Sequence, residues 1–205
     1  MKIRDSGMPD ADTWESFFDP QLTLRRLQFA FDREDVADFG CGYGTFSLAA
    51  AKLTSGTVYA LDIDRDMVAA TDANATRNGL SNIKAIERDF VKLGTGLPDG
   101  SMAYVMLFNV LHAEDAIGLL REAFRVLRAN GVVAIMHWIY DANTPRGPAL
   151  NIRPRPEQCI AWASEVGFVP DASVISLPPY HYGVLALKPE DTQRPALRAR
   201  RRLPG

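Results

Sequence analysis

Residues 36–45, VADFGCGYGT, restrict the possible folds of this chain more than any other stretch. A short apolar run carries an acid, Asp38, near its end, and three glycines then alternate: Gly40, Gly42 and Gly44. The run predicts a buried strand. The glycines predict the tight turn that leaves it, because glycine is needed where the backbone takes positive φ or a ligand must approach the main chain. Thr45 is placed to cap a helix over 46–53. A glycine-rich turn between a strand and a helix N-terminus is a cradle for a nucleotide-type ligand.

Spacing narrows the ligand. The dinucleotide fingerprint G-x-G-x-x-G requires glycine at position 45, where threonine stands. Asp38, two residues ahead of Gly40, would repel a diphosphate and attract a cation in a low-dielectric pocket. The pattern acid-x-G-x-G-x-G resembles motif I of the class I S-adenosylmethionine-dependent methyltransferases. The resemblance implies S-adenosylmethionine as cofactor and S-adenosylhomocysteine as product. Asp38, Gly40, Cys41, Gly42 and Gly44 would then line the cofactor, although Cys41 also reads simply as a small residue packed in a tight place.

The rest of the chain alternates strand and helix patterns. Strands are predicted at 57–61, 83–87, 103–108 and 132–138, and helices at 65–78, 115–127 and 156–165. Residues 168–176 and 182–187 read as a closing pair of strands. A largely parallel sheet with an antiparallel edge follows. The expected fold is α/β: Rossmann-like, doubly wound, with a mostly parallel seven-stranded sheet whose last strand is antiparallel. The match LLREAFRVLRANGVVAI at 119–135 supports the same family. The expected organisation is an N-terminal lid at 1–30, a methyltransferase domain at 31–188 and a basic tail at 189–205.

Further site residues follow from position. Asp62 closes the second strand 18 residues after Gly44, near the spacing at which doubly wound folds hold a ribose diol. Ile63 would lie against adenine, and Asp64 reads as a helix cap. By resemblance, Asp89 bonds the adenine amine, with Phe90 beside it and Asn109 near the methionine part of the cofactor. Asp89 alone would read as a turn residue or a cap. Met102 and Ala103 depart from the usual Phe-Asp pair of the family. The Pro-Pro-Tyr at 178–180 lies far from the fourth strand, so it is not the motif of enzymes that methylate adenine or glutamine nitrogen.

Composition sets the remaining bounds. The chain has 205 residues, 47% hydrophobic and 23% charged, enough for one domain with a full core. Two cysteines make neither a disulfide framework nor a metal-ligand pattern, and they are too few for arsenite methylation. No apolar run of about 18 residues suggests a membrane span, and the N-terminus lacks the apolar core of a signal peptide. A cytoplasmic location is therefore expected. The three histidines are far apart in sequence, so no metal is expected. The segment 188–205 holds six basic and two acidic residues, which leaves an acidic body under a net charge of −2. An acidic body argues against nucleic acid as a partner.

These readings converge on methyl transfer to a small-molecule acceptor. His112 is the first candidate base and His137 the second. Trp14, Phe17 and Phe18 predict an aromatic face in the lid, with Trp14 reaching the substrate. The proline-rich loop at 140–155 offers Tyr140 and Arg146 as acceptor contacts, Arg146 implying an anionic acceptor. Alternatively, the loop's arginines pin the acidic lid. Two other functions are weighed. One is a nicotinamide-dependent oxidoreductase, which Thr45 and Asp38 disfavour. The other is a non-catalytic S-adenosylmethionine-binding or RNA-associated module, suggested by the basic tail.

Overall fold

The computed structural model describes residues 9–190. The strand read from the glycine stretch is β1, Val36–Phe39, buried at every position. It lies in the middle of the sheet, between β2 (Val58–Asp62) and β4 (Met102–Phe108), with β3 (Ile83–Glu87) beyond β2. β5 (Leu127–Trp138) flanks β4, and all of these strands run parallel. β8 (His181–Leu187) then pairs antiparallel with β5. The sequence order reverses between β1 and β4. Open parallel sheets bind ligands at such a switch point, at the carboxyl ends of the strands.

All seven residues of β4 are buried, as expected for a strand covered on both faces. Alternation sends Val105 and Leu107 to one core and Tyr104, Met106 and Phe108 to the other. The first core packs under α6 (Ala116–Val126) and α7 (Pro156–Val166). The second packs under α2 (Pro20–Arg26) and α3 (Thr45–Ala51). α4 (Arg65–Arg77) follows β2 and is capped by Asp64, whose carboxylate accepts from the Asp66 amide.

Four local expectations change. Thr45 does not cap α3: Gly44, at φ 82°, is the N-cap, and Thr45 is already helical. That positive φ is a backbone conformation that residues with a side chain rarely adopt, which suits glycine at the cap position. The strand expected at 132–138 begins earlier: β5 starts at Leu127, opposite Met102. The edge strand expected at 168–176 is broken into β6 (Val169–Pro170) and β7 (Ile175–Leu177). β6 pairs Val169 with Leu187, whereas β7 pairs Ile175 with Gly183, so the register slips between them. The sheet therefore has eight strands among the described residues rather than seven. Finally, α1 (Ala11–Glu15) stops before Phe17, so the three N-terminal aromatics do not share a helix.

The expected lid divides in two. Leu24 and Leu27 are fully buried in the core, and the Tyr104 hydroxyl donates to the Leu27 carbonyl at 2.9 Å. Only the part around α1 and Phe18 lies over the carboxyl ends of the strands, where Phe17 meets Trp138 and Phe18 meets Phe46. At the other end, the tail expectation for 191–205 falls outside the described residues. Lys188, counted with that tail by charge, donates to the Phe124 and Leu127 carbonyls.

Candidate active site

A cavity of about 210 Å³ opens at the carboxyl ends of β1, β2 and β4. Its wall includes Asp38, Gly40, Cys41, Gly42, Asp62, Ile63, Asp89, Phe90 and Asn109. Nine of the ten expected cofactor residues thus meet in one place. Gly44 is the exception and faces the neighbouring groove beside Asn74.

The glycine turn is held by side chains from two later elements. The Asp62 carboxylate accepts the Gly42 amide at 2.9 Å and the Asp64 amide at 3.0 Å. Thr71, buried on α4, donates to the Gly42 carbonyl at 2.8 Å, and Asn74 donates to the Tyr43 carbonyl at 2.9 Å. Gly40, at φ 86°, sits where a side chain would come within 2.7 Å of Val110. The Cys41 thiol is buried and pushed to a high pKa by that burial, so it is a packing group here.

Asp38 is almost fully buried, and its carboxylate accepts from the Ser47 hydroxyl at 2.6 Å. Burial pushes its pKa up to about 7, against the Ser47 hydrogen bond and with help from the nearby Asp62 charge. Burial also raises Asp62. Ser47 was not singled out in the sequence. The available signal was a hydroxyl residue nine positions after the acid, on the first turn of the following helix.

Asp89 combines both readings offered for it: it lines the cavity, and it caps the short helix α5 (Phe90–Leu93) by accepting from the Lys92 amide. Asn109 follows β4 at φ 58°, a region asparagine tolerates better than most residues. Its amide N–H donates to the Met136 carbonyl, whereas its side-chain nitrogen and oxygen are buried with no protein partner. The Thr45 hydroxyl, on the same cavity wall, is also buried without a partner. Orphaned polar atoms of this kind in a cavity call for a polar ligand.

The acceptor-side expectations fare unevenly. Trp14 and His112 line the cavity, together with Trp138, Glu114 and Pro148, which were not singled out. His137 is fully buried and does not reach the cavity wall; it stands behind His112, 3.3 Å from it. Tyr140 is 40% exposed and off the cavity, with the Arg155 guanidinium 3.6 Å over its ring. Arg146 is also exposed and outside the wall. Asp10 is held below the usual carboxylate range mainly by its Thr13 hydrogen bonds, with a smaller contribution from the Arg146 charge. That contribution runs toward the lid. The structure does not bring Arg146 to the cavity with the other expected site residues, because its side chain lies at the surface of the loop. Among the described residues, no lysine or arginine lines the cavity.

Fold and site define a class: a Rossmann-like sheet of the class I methyltransferase type, with acids at the ends of its first strands and, among the described residues, no cation on the cavity wall for a diphosphate. The comparisons agree. A family model described as a methyltransferase domain matches residues 36–131. That match covers just under half of the chain, and the whole fold is similar to that of solved S-adenosylmethionine-dependent methyltransferases. A solved S-adenosylmethionine-dependent methyltransferase from Aquifex aeolicus superposes with a TM-score of 0.75 at 24% identity, covering 87% of this chain and 93% of that one. The [4+2]-cyclase SpnF superposes with a TM-score of 0.71 at 17% identity, covering 90% and 84%, so the fold alone does not dictate the reaction. Among curated proteins, the ribosomal protein L11 methyltransferase of Shewanella pealeana is 38% identical over 92 residues, 45% of this chain and 28% of that protein. Sterol 24-C-methyltransferase erg6 of Aspergillus fumigatus is 31% identical over 116 residues, 54% of this chain and 30% of that protein. The chain thus spans less than a third of the length of these relatives.

The residues present fit S-adenosylmethionine. Asp38 and Asp62 suit a cationic ligand with a vicinal diol, and the orphaned Asn109 amide offers both a donor and an acceptor. Among the described residues, no group of three or more His, Cys, Asp or Glu side chains could hold a metal ion. No helix among them is long and apolar enough to cross a membrane.

Proposed function

We propose that the protein transfers the methyl group of S-adenosylmethionine to a small, non-anionic acceptor. The observation that carries this reading is the single cavity lined by Asp38, Asp62, Asp89 and Asn109 and by no lysine or arginine among the described residues. Asp62 would hold the ribose, Asp89 and Ile63 the adenine, and Asn109 the methionine part. The cofactor supplies an electrophilic methyl on a sulfonium. The chain therefore contributes orientation and exclusion of water more than acid–base chemistry. Trp14, Phe108, Trp138 and Pro148 give the cavity its apolar wall and favour an apolar acceptor body. The anionic acceptor expected from Arg146 finds no cationic partner on that wall, and the proposal drops it.

Isothermal titration with S-adenosylmethionine and with NAD tests the cofactor. Transfer of a labelled methyl group into a metabolite extract tests the reaction. Binding of NAD in preference to S-adenosylmethionine would overturn the proposal in favour of an oxidoreductase.

Asp38 adds a pH signature. Its folded pKa of about 7 lies above the ordinary 3.8, so the native state holds this proton more tightly than the unfolded chain does. Its contribution to stability is accordingly lost as pH rises from about 4 to about 7. A bound cation reverses the balance by favouring the carboxylate. S-adenosylmethionine binding below pH 7 is therefore expected to expel up to about one proton. Calorimetry in buffers of different ionisation enthalpy reads this directly, and Asp38→Asn is expected to abolish most of it. Buffer-independent heats in the unmodified protein would contradict the assignment.

A further inference from the structure

Two side chains on the cavity wall, Thr45 and Asn109, hold enclosed polar atoms that the folded chain leaves without a hydrogen bond. A helical threonine ordinarily turns its hydroxyl back to the carbonyl three or four residues earlier. For Thr45 those are the Gly42 and Cys41 carbonyls. They already accept from the Thr71 hydroxyl at 2.8 Å and from the Gly44 amide at 2.9 Å. An asparagine at a turn ordinarily bonds the backbone close by. The Asn109 backbone N–H donates to the Met136 carbonyl at 2.8 Å, but its carboxamide bonds nothing in the chain.

The sheet brings the two residues to one place. β1 and β4 are neighbours, with Asp38 opposite Met106. The turn leaving β1 closely approaches the loop leaving β4: a side chain at Gly40 would come within 2.7 Å of Val110. Phe46, next to Thr45, meets Phe108, next to Asn109, edge to face with ring centroids 4.8 Å apart. That contact holds the first turn of α3 against the end of β4, and both rings line the cavity.

We propose that Thr45 and Asn109 form an uncharged clamp on the α-amino-acid end of the cofactor. The Thr45 hydroxyl and the Asn109 side-chain N–H donate to its carboxylate, and the Asn109 side-chain oxygen accepts from its ammonium. The inference rests on the methyltransferase reading above and deepens it, since that reading gives Thr45 no role and Asn109 only a general place.

The donor and acceptor inventory carries the argument. A zwitterion needs donors and an acceptor side by side. A carboxamide supplies both, and a hydroxyl adds a donor. No lysine or arginine stands on the cavity wall among the described residues, so a carboxylate there has to be met by uncharged side-chain donors. Position agrees. Asp62 ends β2 and Asp89 follows β3, and both strands lie on the side of β1 away from β4. With ribose and adenine on that side, the other end of an elongated ligand falls between the start of α3 and the end of β4. Asp38, on the same wall, adds a carboxylate for the ammonium. An enclosed polar group without a partner destabilises the folded chain, and a ligand that bonds it relieves the penalty.

Thr45→Val removes the hydroxyl at nearly constant shape. Asn109→Gly removes the carboxamide and keeps a residue that tolerates φ 58°. S-adenosylhomocysteine carries the amino-acid end, and 5′-methylthioadenosine carries the same nucleoside without it. In calorimetric titration, each variant is expected to bind S-adenosylhomocysteine about tenfold more weakly and methylthioadenosine within about twofold of the unmodified protein, as for a lost hydrogen bond to a charged group. Thr45→Ser is expected to restore the affinity. The ligand-free Thr45→Val protein should melt at the same temperature as the unmodified protein or higher, because a methyl group replaces an unpartnered polar atom. Unchanged affinity for S-adenosylhomocysteine in Thr45→Val would overturn the clamp. So would an equal weakening of both ligands or a lower melting temperature, either of which would show that the hydroxyl supports the cradle rather than the ligand. These outcomes leave the methyltransferase reading intact. Absence of S-adenosylmethionine and S-adenosylhomocysteine binding in the unmodified protein would remove both.

Discussion

Asp62→Ala is expected to weaken S-adenosylmethionine binding by about ten- to a hundredfold, the range that follows from losing hydrogen bonds to a charged group at about 1.5–3 kcal/mol. Two losses combine. The ribose contact disappears, and so does the acceptor for the Gly42 and Asp64 amides. The second loss loosens the glycine turn itself, so Asp62→Asn, which keeps one acceptor oxygen, should fall between alanine and the unmodified protein. The sheet should survive, because Asp62 is the last residue of β2 and the strand's pairing with β1 and β3 uses its backbone. Calorimetric titration measures the affinity and circular dichroism the fold. An alanine variant that binds as tightly as the unmodified protein would remove Asp62 from the site.

The second large effect is expected at Arg153, which is 6% exposed and spends its guanidinium on the loop around it. It donates to the Pro148 carbonyl from two nitrogens, at 3.0 and 2.8 Å, and to the Ile139 carbonyl at 2.8 Å. It also reaches the Asp141 carbonyl at 3.0 Å and the Thr144 hydroxyl at 2.9 Å. Arg153→Met removes all of these bonds, leaving the Ile139 carbonyl only the Asp141 amide and the Asp141 carbonyl only the Thr144 donors, and should cost about 3 kcal/mol or more in urea unfolding, since bonds to a charged donor are worth about 1.5–3 kcal/mol each and do not add fully. Arg153→Lys should recover only part of this, because an ammonium cannot reproduce the planar fork. Limited proteolysis should show new cleavage between 139 and 155. Because Pro148 and Trp138 form part of the cavity wall, the acceptor side should suffer before the cofactor side. A methionine variant within about 0.5 kcal/mol of the unmodified protein would show that the loop holds itself.

Arg153 also shows what the sequence left open in this loop. Three arginines among prolines read as an anion site, because guanidinium chemistry suits carboxylates and phosphates. The same five donors suit carbonyl oxygens equally well, and a loop that curls back on itself has carbonyls to satisfy. Composition gives no means of choosing between them. Arg155 lies over Tyr140, Arg153 is enclosed by carbonyls and Arg146 faces outward.

The cofactor side was more legible because its signals are local. An apolar run, an acid and alternating glycines fix a strand and its turn within ten residues, through steric limits that act on the backbone directly. Asp38, Asp62 and Asp89 each follow from a position within or just after one strand, and parallel strands bring such positions to one edge of the sheet. The chain therefore specified by itself the order of strands and helices, the acids at the strand ends and the exclusion of a diphosphate. Tertiary structure decided what depends on neighbours distant in sequence. The register of β5 against β4 made one pair of two isolated histidines. The left-handed turn at Gly44 made that glycine, and not Thr45, the cap of α3. The slip of the final edge along β8 divided one expected strand into two. Each outcome depends on which surfaces meet once the chain is compact, and no local pattern carries that information.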